Sequence, residues 1–332
     1  MKRGTAMQED IFRDLGSIGI VPVVVLDEAR HAVPLARALA KGGIPAAEVT
    51  FRTDAAAESI AAIAREVPEV LVGAGTVTST AMAQQAAAAG ARYIVSPGLN
   101  PAVVQWCLAH DVPVLPGVAT PTEVEAGMAL GLSVLKFFPA AQNGGVPMLK
   151  ALASPYRGVK FVPTGGVGPA NLTEYLALPN VTACGGSWIC PPALVRAEQW
   201  DEIERLCREA VLTMHGFSLH HLEFCAPDAA QASRSCTAFA DLFGFAAGQR
   251  SDAFFAGDSL AFCAPSAAAA QDGSQTQGRI VISANSVERA MAWLARKGVA
   301  FRTESAVRDA KGIASVQLAQ TVGGFGIALC RA

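Results

Sequence analysis

Charge is scarce in this chain: Asp, Glu, Lys and Arg make up only 16% of its 332 residues. The formal net charge is −2, so there is no basic excess to meet a phosphate backbone, and nucleic acid is not expected as a partner. Long apolar runs are also missing. Hydrophobic residues reach 52%, yet no run attains the ~18 residues of a spanning helix, so no membrane association is predicted. Met1-Lys2-Arg3 and Gln8-Glu9-Asp10 lack the apolar stretch and small-residue cleavage site of a leader, which predicts a cytoplasmic protein. None of the eight cysteines forms a C-x-x-C pair, so reduced thiols are expected, and no Cys-His motif argues for a catalytic one. The five histidines show no H-E-x-x-H spacing, so no metal centre is predicted.

What is there points to a large apolar core. The composition excludes a disordered chain, and the length allows roughly two domains without disulfide staples. Short, nearly continuous apolar runs recur at 20–26, 46–51, 70–76, 93–98, 113–119, 134–139, 160–166 and 181–187. Such runs are the pattern of strands buried on both faces of a parallel sheet. Helical stretches at 28–41 and 54–66 lie between them, the second with Thr53-Asp54 as its expected N-cap and Ile60, Ile63 and Val67 on one stripe. Eight near-equal βα units fit a closed (β/α)8 TIM barrel better than an open doubly wound sheet, at the compact end of that architecture.

Beyond a helical stretch at 199–212, the segment 213–218 reads as a linker. A pattern of strand, Asx or Ser cap, helix and glycine then appears twice. His221–Asp228 opens the first copy and Arg279–Ser286 the second, with an Ala/Ser/Gln/Gly-rich tether at 266–278 between them. This predicts a smaller α+β domain of two βαβββ-like modules. The expected boundaries are 7–213 for the barrel and 217–332 for the second domain.

Three features carry chemistry. Lys136 interrupts the apolar run 134–139, and strand alternation puts it on one face with Val134 and Phe138. A buried, unpartnered lysine is costly unless it is neutral, and a neutral amine is what Schiff-base formation with a carbonyl needs. The alternative is a strand-end lysine reaching water. In the run 46–51 and just beyond it, Glu48, Thr50 and Arg52 share a face by the same alternation. They could supply a base and an anion clamp, or merely a structural Glu–Arg pair. Finally, Gly165-Gly166 and Gly185-Gly186-Ser187 follow the seventh and eighth strands, where barrels of this kind bind phosphate through backbone N–H groups and following helix N-termini.

Glu48-Val49-Thr50-Phe51-Arg52-Thr53, Val72-Gly73-Ala74-Gly75-Thr76-Val77, Ser96-Pro97-Gly98-Leu99, Leu115-Pro116-Gly117-Val118-Ala119-Thr120, Lys136-Phe137-Phe138-Pro139-Ala140, Pro163-Thr164-Gly165-Gly166 and Gly185-Gly186-Ser187-Trp188 together resemble the 2-keto-3-deoxy-6-phosphogluconate (KDPG) / 4-hydroxy-2-oxoglutarate aldolase family over about residues 10–213. The resemblance implies a class I aldolase of the Entner–Doudoroff route, usually a homotrimer, acting on a small 2-keto acid without metal or other cofactor. It implies Lys136 as the Schiff-base lysine and Glu48 as general acid/base. By the same resemblance Arg52 and Thr76 hold the substrate carboxylate, and Gly165, Gly166, Gly186 and Ser187 hold the phosphate. A related phosphogalactonate-type specificity is the alternative within the family.

The second domain resembles the glyoxalase/vicinal-oxygen-chelate family through its duplicated modules and His221. That family's His and Glu metal ligands are not matched here: Arg279 stands at the counterpart of His221, and Ala328 near an expected Glu. A domain without a metal site is therefore expected, with His221 a structural residue sharing a strand face with Glu223. The alternative is a bifunctional enzyme with an active metal-dependent second domain.

Overall fold

The computed structural model describes residues 3–250, 253–264 and 277–332. It divides into two compact units, Met1–Met214 and His215–Ala332.

The first unit opens with helix α1 (Arg3–Ile18), which the sequence pattern did not announce; Ile11, Phe12, Leu15 and Ile18 form its buried stripe. The strands follow: β1 (Ile20–Val24), β2 (Ala46–Thr50), β3 (Leu71–Gly75), β4 (Ile94–Val95), β5 (Val114–Leu115), β6 (Gly117–Val118), β7 (Val134–Phe137), β8 (Lys160–Pro163) and β9 (Cys184–Gly186). All nine fall within the expected runs. β1 and β2 are buried at every position, as continuous apolar runs require.

β5 and β6 are one expected strand divided at Pro116, which has no N–H to donate. Before the proline the strand pairs with β4; after it, with β7. The Pro116 carbonyl still accepts from Lys136 N–H at 2.9 Å, so the ladder changes partner without a gap. The parallel order runs β9-β1-β2-β3-β4-β5 and then β6-β7-β8, and the bridges Phe161–Val181 and Thr164–Gly185 join β8 to the β9 segment. The result is a closed eight-stranded barrel, as expected.

Helices α2 (Ala32–Lys41), α3 (Ala56–Glu66), α4 (Thr80–Ala88), α5 (Pro101–Ala109), α6 (Pro121–Ala129), α7 (Gly145–Ala153), α8 (Leu172–Leu176), α9 (Pro192–Arg196) and α10 (Trp200–His215) follow the strands. Two local expectations are corrected. α3 starts later than predicted and is capped by Ala55 without a side-chain bond, because Thr53 Oγ1 donates instead to the Leu26 carbonyl. The linker at 213–218 shrinks to two residues: α10 continues to His215, and Gly216, at φ +57°, turns the chain into the next strand.

In the second unit β10 (Ser218–Cys225), α11 (Ala229–Phe243), β11 (Ala247–Arg250), β12 (Ala253–Ala256) and β13 (Leu260–Cys263) form one module. β14 (Gly278–Ala284), α12 (Val287–Arg296), β15 (Phe301–Asp309), β16 (Gly312–Val322) and β17 (Phe325–Arg331) form the other. Asp228 and Ser286 cap the two helices through their side chains. The sheet order β11-β12-β13-β10-β14-β17-β16-β15 sets the modules side by side, joined by the antiparallel pair β10–β14. Each module contributes a helix to the same side, with Phe239 over Phe254 and Phe262, and Val287 and Ala290 over Val316 and Leu329. The run expected as a last strand from Gly323 begins at Phe325 instead, since Gly323 and Gly324 both take positive φ in the turn before it. The 266–278 tether lies outside the described residues except for its last two.

Candidate active site

Lys136 sits near the end of β7. Its neighbours Leu135 and Phe137 point away from the barrel axis, fully buried, with Phe137 edge-on to Phe161 at 6.3 Å. Lys136 itself points inward and is only 5% exposed, while Glu48, inward from β2, is 3% exposed. They meet: Lys136 Nζ donates to Glu48 Oε1 at 3.1 Å. The lysine is therefore partnered, and the alternative of a structural Glu48–Arg52 pair is not what the structure shows, because the carboxylate serves the lysine. Two charges this far from water hold together only because each satisfies the other. The Phe138 ring lies 5.2 Å from the ammonium and adds a weaker attraction.

Small residues make room for this pair. In the β2–β3 register Thr50 faces Gly75 and Glu48 faces Gly73. A Cβ on Gly75 would fall on the Glu48 carboxylate, and one on Gly73 would enter the Tyr93 ring. Tyr93 is fully buried, and its hydroxyl donates to the Ala47 carbonyl at 3.2 Å, tying down the peptide that leads into Glu48. Burial first, and the Glu48 charge second, hold the Tyr93 phenol well above its ordinary range, so it stays a neutral donor. Sequence reasoning missed Tyr93; its signal was the glycine one strand away.

Thr50, buried, donates through its hydroxyl to the Val24 carbonyl at 2.9 Å and so braces β2 against β1. Arg52 is placed differently from the expected strand position: it is exposed, in the turn beyond β2. Thr76, half-buried directly after β3, has φ +59°. A β-branched residue in the left-handed region is strained by about 1–3 kcal/mol and persists only where its surroundings impose it.

Gly165 and Gly166 lie beyond β8 with φ +94° and +76°, and their N–H groups meet no acceptor among the described residues. A Cβ on Gly166 would strike that of Ala141, and one on Gly186, at the end of β9, would enter the Trp188 ring. Ser187 is exposed beside it. The helix N-termini expected to follow directly do not: α8 starts at Leu172 and α9 at Pro192, and each is only 5 residues long. Asn171 also directs its side chain to Gly168 N–H rather than to α8. Any anion here would be met by loop N–H groups, not by helix dipoles.

In the second unit His221 Nε2 and Glu223 Oε1 are 3.2 Å apart, and Arg279 forms an ion pair with the other Glu223 oxygen. Burial raises the Glu223 carboxyl, but the His221 hydrogen bond and the Arg279 contact outweigh it and hold the group below its ordinary value. His221 also meets His220 at 2.7 Å, so its partners are internal ones. Among the described residues no three His, Cys, Asp or Glu side chains converge as a metal site would require.

A family model described as KDPG and KHG aldolase matches residues 11–206. The 2-dehydro-3-deoxy-phosphogluconate aldolase of Treponema pallidum is 52% identical over 201 residues, 60% of this chain and 96% of that protein. The KHG/KDPG aldolase of Escherichia coli is 46% identical over 192 residues, 58% of this chain and 90% of its own length. Among solved structures, KDPG aldolase from Legionella pneumophila, with pyruvate captured as a covalent carbinolamine intermediate, aligns with a TM-score of 0.59. It is 40% identical and covers 61% of this chain and 97% of its own. With more than half its length matched, and with the buried Lys–Glu pair inside the matched barrel, this chain belongs to the KDPG and KHG aldolase family.

Proposed function

We propose that the barrel is a class I aldolase, a carbon–carbon lyase that cleaves 2-dehydro-3-deoxy-6-phosphogluconate to pyruvate and glyceraldehyde 3-phosphate, and 4-hydroxy-2-oxoglutarate to pyruvate and glyoxylate. The observation that carries this reading is the buried contact of 3.1 Å between Lys136 Nζ and Glu48 Oε1. One proton shared along that contact passes to Glu48, which frees the amine. Lys136 attacks the substrate C2 carbonyl, and Glu48 hands its proton to the carbinolamine hydroxyl, which leaves as water, giving an iminium and restoring the carboxylate. Glu48 then removes the C4 hydroxyl proton, the C3–C4 bond breaks, and its electron pair moves into the enamine as the aldehyde leaves. Protonation at C3 and hydrolysis release pyruvate and restore Lys136. The iminium is the electron sink, so the step needs no metal or cofactor.

Arg52 and Thr76 are assigned to the carboxylate beside the reacting carbonyl. An exposed guanidinium with no partner among the described residues and a strained threonine at adjacent strand ends support this. The open N–H groups of Gly165 and Gly166, with Gly186 and Ser187, are assigned to the phosphate. The finer expectations rest on the family likeness: a homotrimer in the cytoplasm, with the second unit a glyoxalase-like domain without metal chemistry. The paired βαβββ order and the internally partnered His221 support the last of these.

Steady-state kinetics with both substrates tests the assignment. Turnover of both is expected, with the higher kcat/KM for the phosphorylated one. Gly166→Ala should remove most of that preference while sparing the unphosphorylated substrate; equal loss on both would separate the glycine from the phosphate. No turnover of either 2-keto acid by the folded protein would refute the reading.

A further inference from the structure

Two of the eight cysteines stand opposite each other in the second unit. In the parallel pairing of β10 with β13, Cys225 is the register partner of Cys263. Register partners on neighbouring strands lie about 4.8 Å apart and project from the same face of the sheet. That separation falls inside the ~4.4–6.8 Å between Cα atoms that a disulfide spans. Each cysteine is the last residue of its strand. The backbones are already clamped there: Ala226 N–H donates to the Cys263 carbonyl at 2.8 Å, and Cys225 N–H to the Gln277 carbonyl at 3.1 Å.

Access separates this pair from five of the other six thiols; Cys330 is half-buried like Cys263. Cys225 is exposed and Cys263 half-buried, whereas Cys107, Cys184, Cys190, Cys207 and Cys236 are buried. Burial pushes the Cys107 and Cys190 thiols up to about 12, and Cys207 higher still, so they form little thiolate. Cys330 is raised by burial and by the nearby Glu223 charge.

We infer that Cys225 and Cys263 form a cross-strand dithiol site that a hydroperoxide closes to a disulfide. The exposed Cys225 thiolate attacks one peroxide oxygen, becoming a sulfenic acid as the O–O bond breaks and the other oxygen leaves as water or an alcohol. The Cys263 thiolate then attacks that sulfur; the S–S bond forms and the sulfenic oxygen departs as water. Two thiols are oxidised by two electrons, and one peroxide bond is reduced. The bond would join the first and last strands of one module, closing a loop that contains α11, β11 and β12. It would therefore hold that module together.

The test is hydrogen peroxide treatment of the full chain, followed by alkylation and peptide mapping without reductant. The expected result is loss of two alkylatable thiols, a Cys225–Cys263 cross-linked peptide reversed by dithiothreitol, and slower proteolysis within the first module. Cys225→Ser and Cys263→Ser should each abolish the cross-link and leave the proteolysis rate insensitive to peroxide. Separate alkylation of both cysteines after treatment, over-oxidation of Cys225 alone, or a cross-link to another cysteine would overturn the inference.

Discussion

In the proposed reaction Glu48 meets two demands at one contact: it takes a proton from Lys136 and later one from the substrate hydroxyl. An isosteric amide can still accept from the lysine but cannot store a proton. Glu48→Gln should therefore leave the fold intact and lower kcat by about 10²–10⁴-fold, with KM changed much less. A variant that keeps its kcat would remove Glu48 from the chemistry. At this scale much was legible, since a single lysine within an apolar run and a glutamate three residues into another stand out where charge is rare. What could not be read was their partnership. Strand alternation gives the side of a sheet a residue faces, not its neighbour across 88 positions of chain. Arg52 shows the same limit. The alternation put it on the inward face, but β2 ended two residues earlier, and the geometry of a turn is not periodic.

Among the elements, the eight strands were readable because burial on both faces leaves an uninterrupted apolar signal, whereas α1 and the division at Pro116 depend on packing and pairing. The end of α10 is a further case. His215, its last residue, stacks on Phe217 at 4.9 Å and tilts against Trp293 at 5.2 Å, with neither ring nitrogen bonded. A helix C-terminus favours an imidazolium by at most ~2 kcal/mol. Burial opposes it, helped by the charges of Arg296, Arg289 and Lys297, and brings the imidazole down to about 4. Burial wins. Because the folded value lies below the unfolded one of ~6.5, the native state favours neutral His215. Stability is then fully present above pH ~6.5 and falls as the pH drops towards 4, with roughly 2 kcal/mol lost by pH 5. Denaturant titrations at pH 7.5 and 5 should show this difference in the wild type and a smaller one in His215→Gln. Equal differences would contradict it.

For the molecule as a whole, the chain divides into compact units after Met214, and the family match ends at residue 206, before the second unit begins. The Treponema relative is matched over 96% of its length by 60% of this chain, so a barrel of this size is nearly all of that protein. Residues 1–214 alone should accordingly retain kcat and KM within about two-fold of the full chain, because Lys136, Glu48, Arg52, Thr76 and both glycine turns lie inside them. A large loss of activity in a folded fragment would give the second unit a part in catalysis. The duplicated modules were readable from their capped helices. The two cysteines set opposite each other were not, because register is fixed by the whole sheet.

The central claim is that Lys136 carries the substrate covalently. Incubating the full chain with pyruvate and sodium borohydride, then mapping the peptides by mass spectrometry, tests it directly. The account predicts one reduced pyruvyl adduct per chain, on Lys136, and none on a folded Lys136→Ala variant. An adduct on another lysine, or undiminished labelling of the variant, would contradict it.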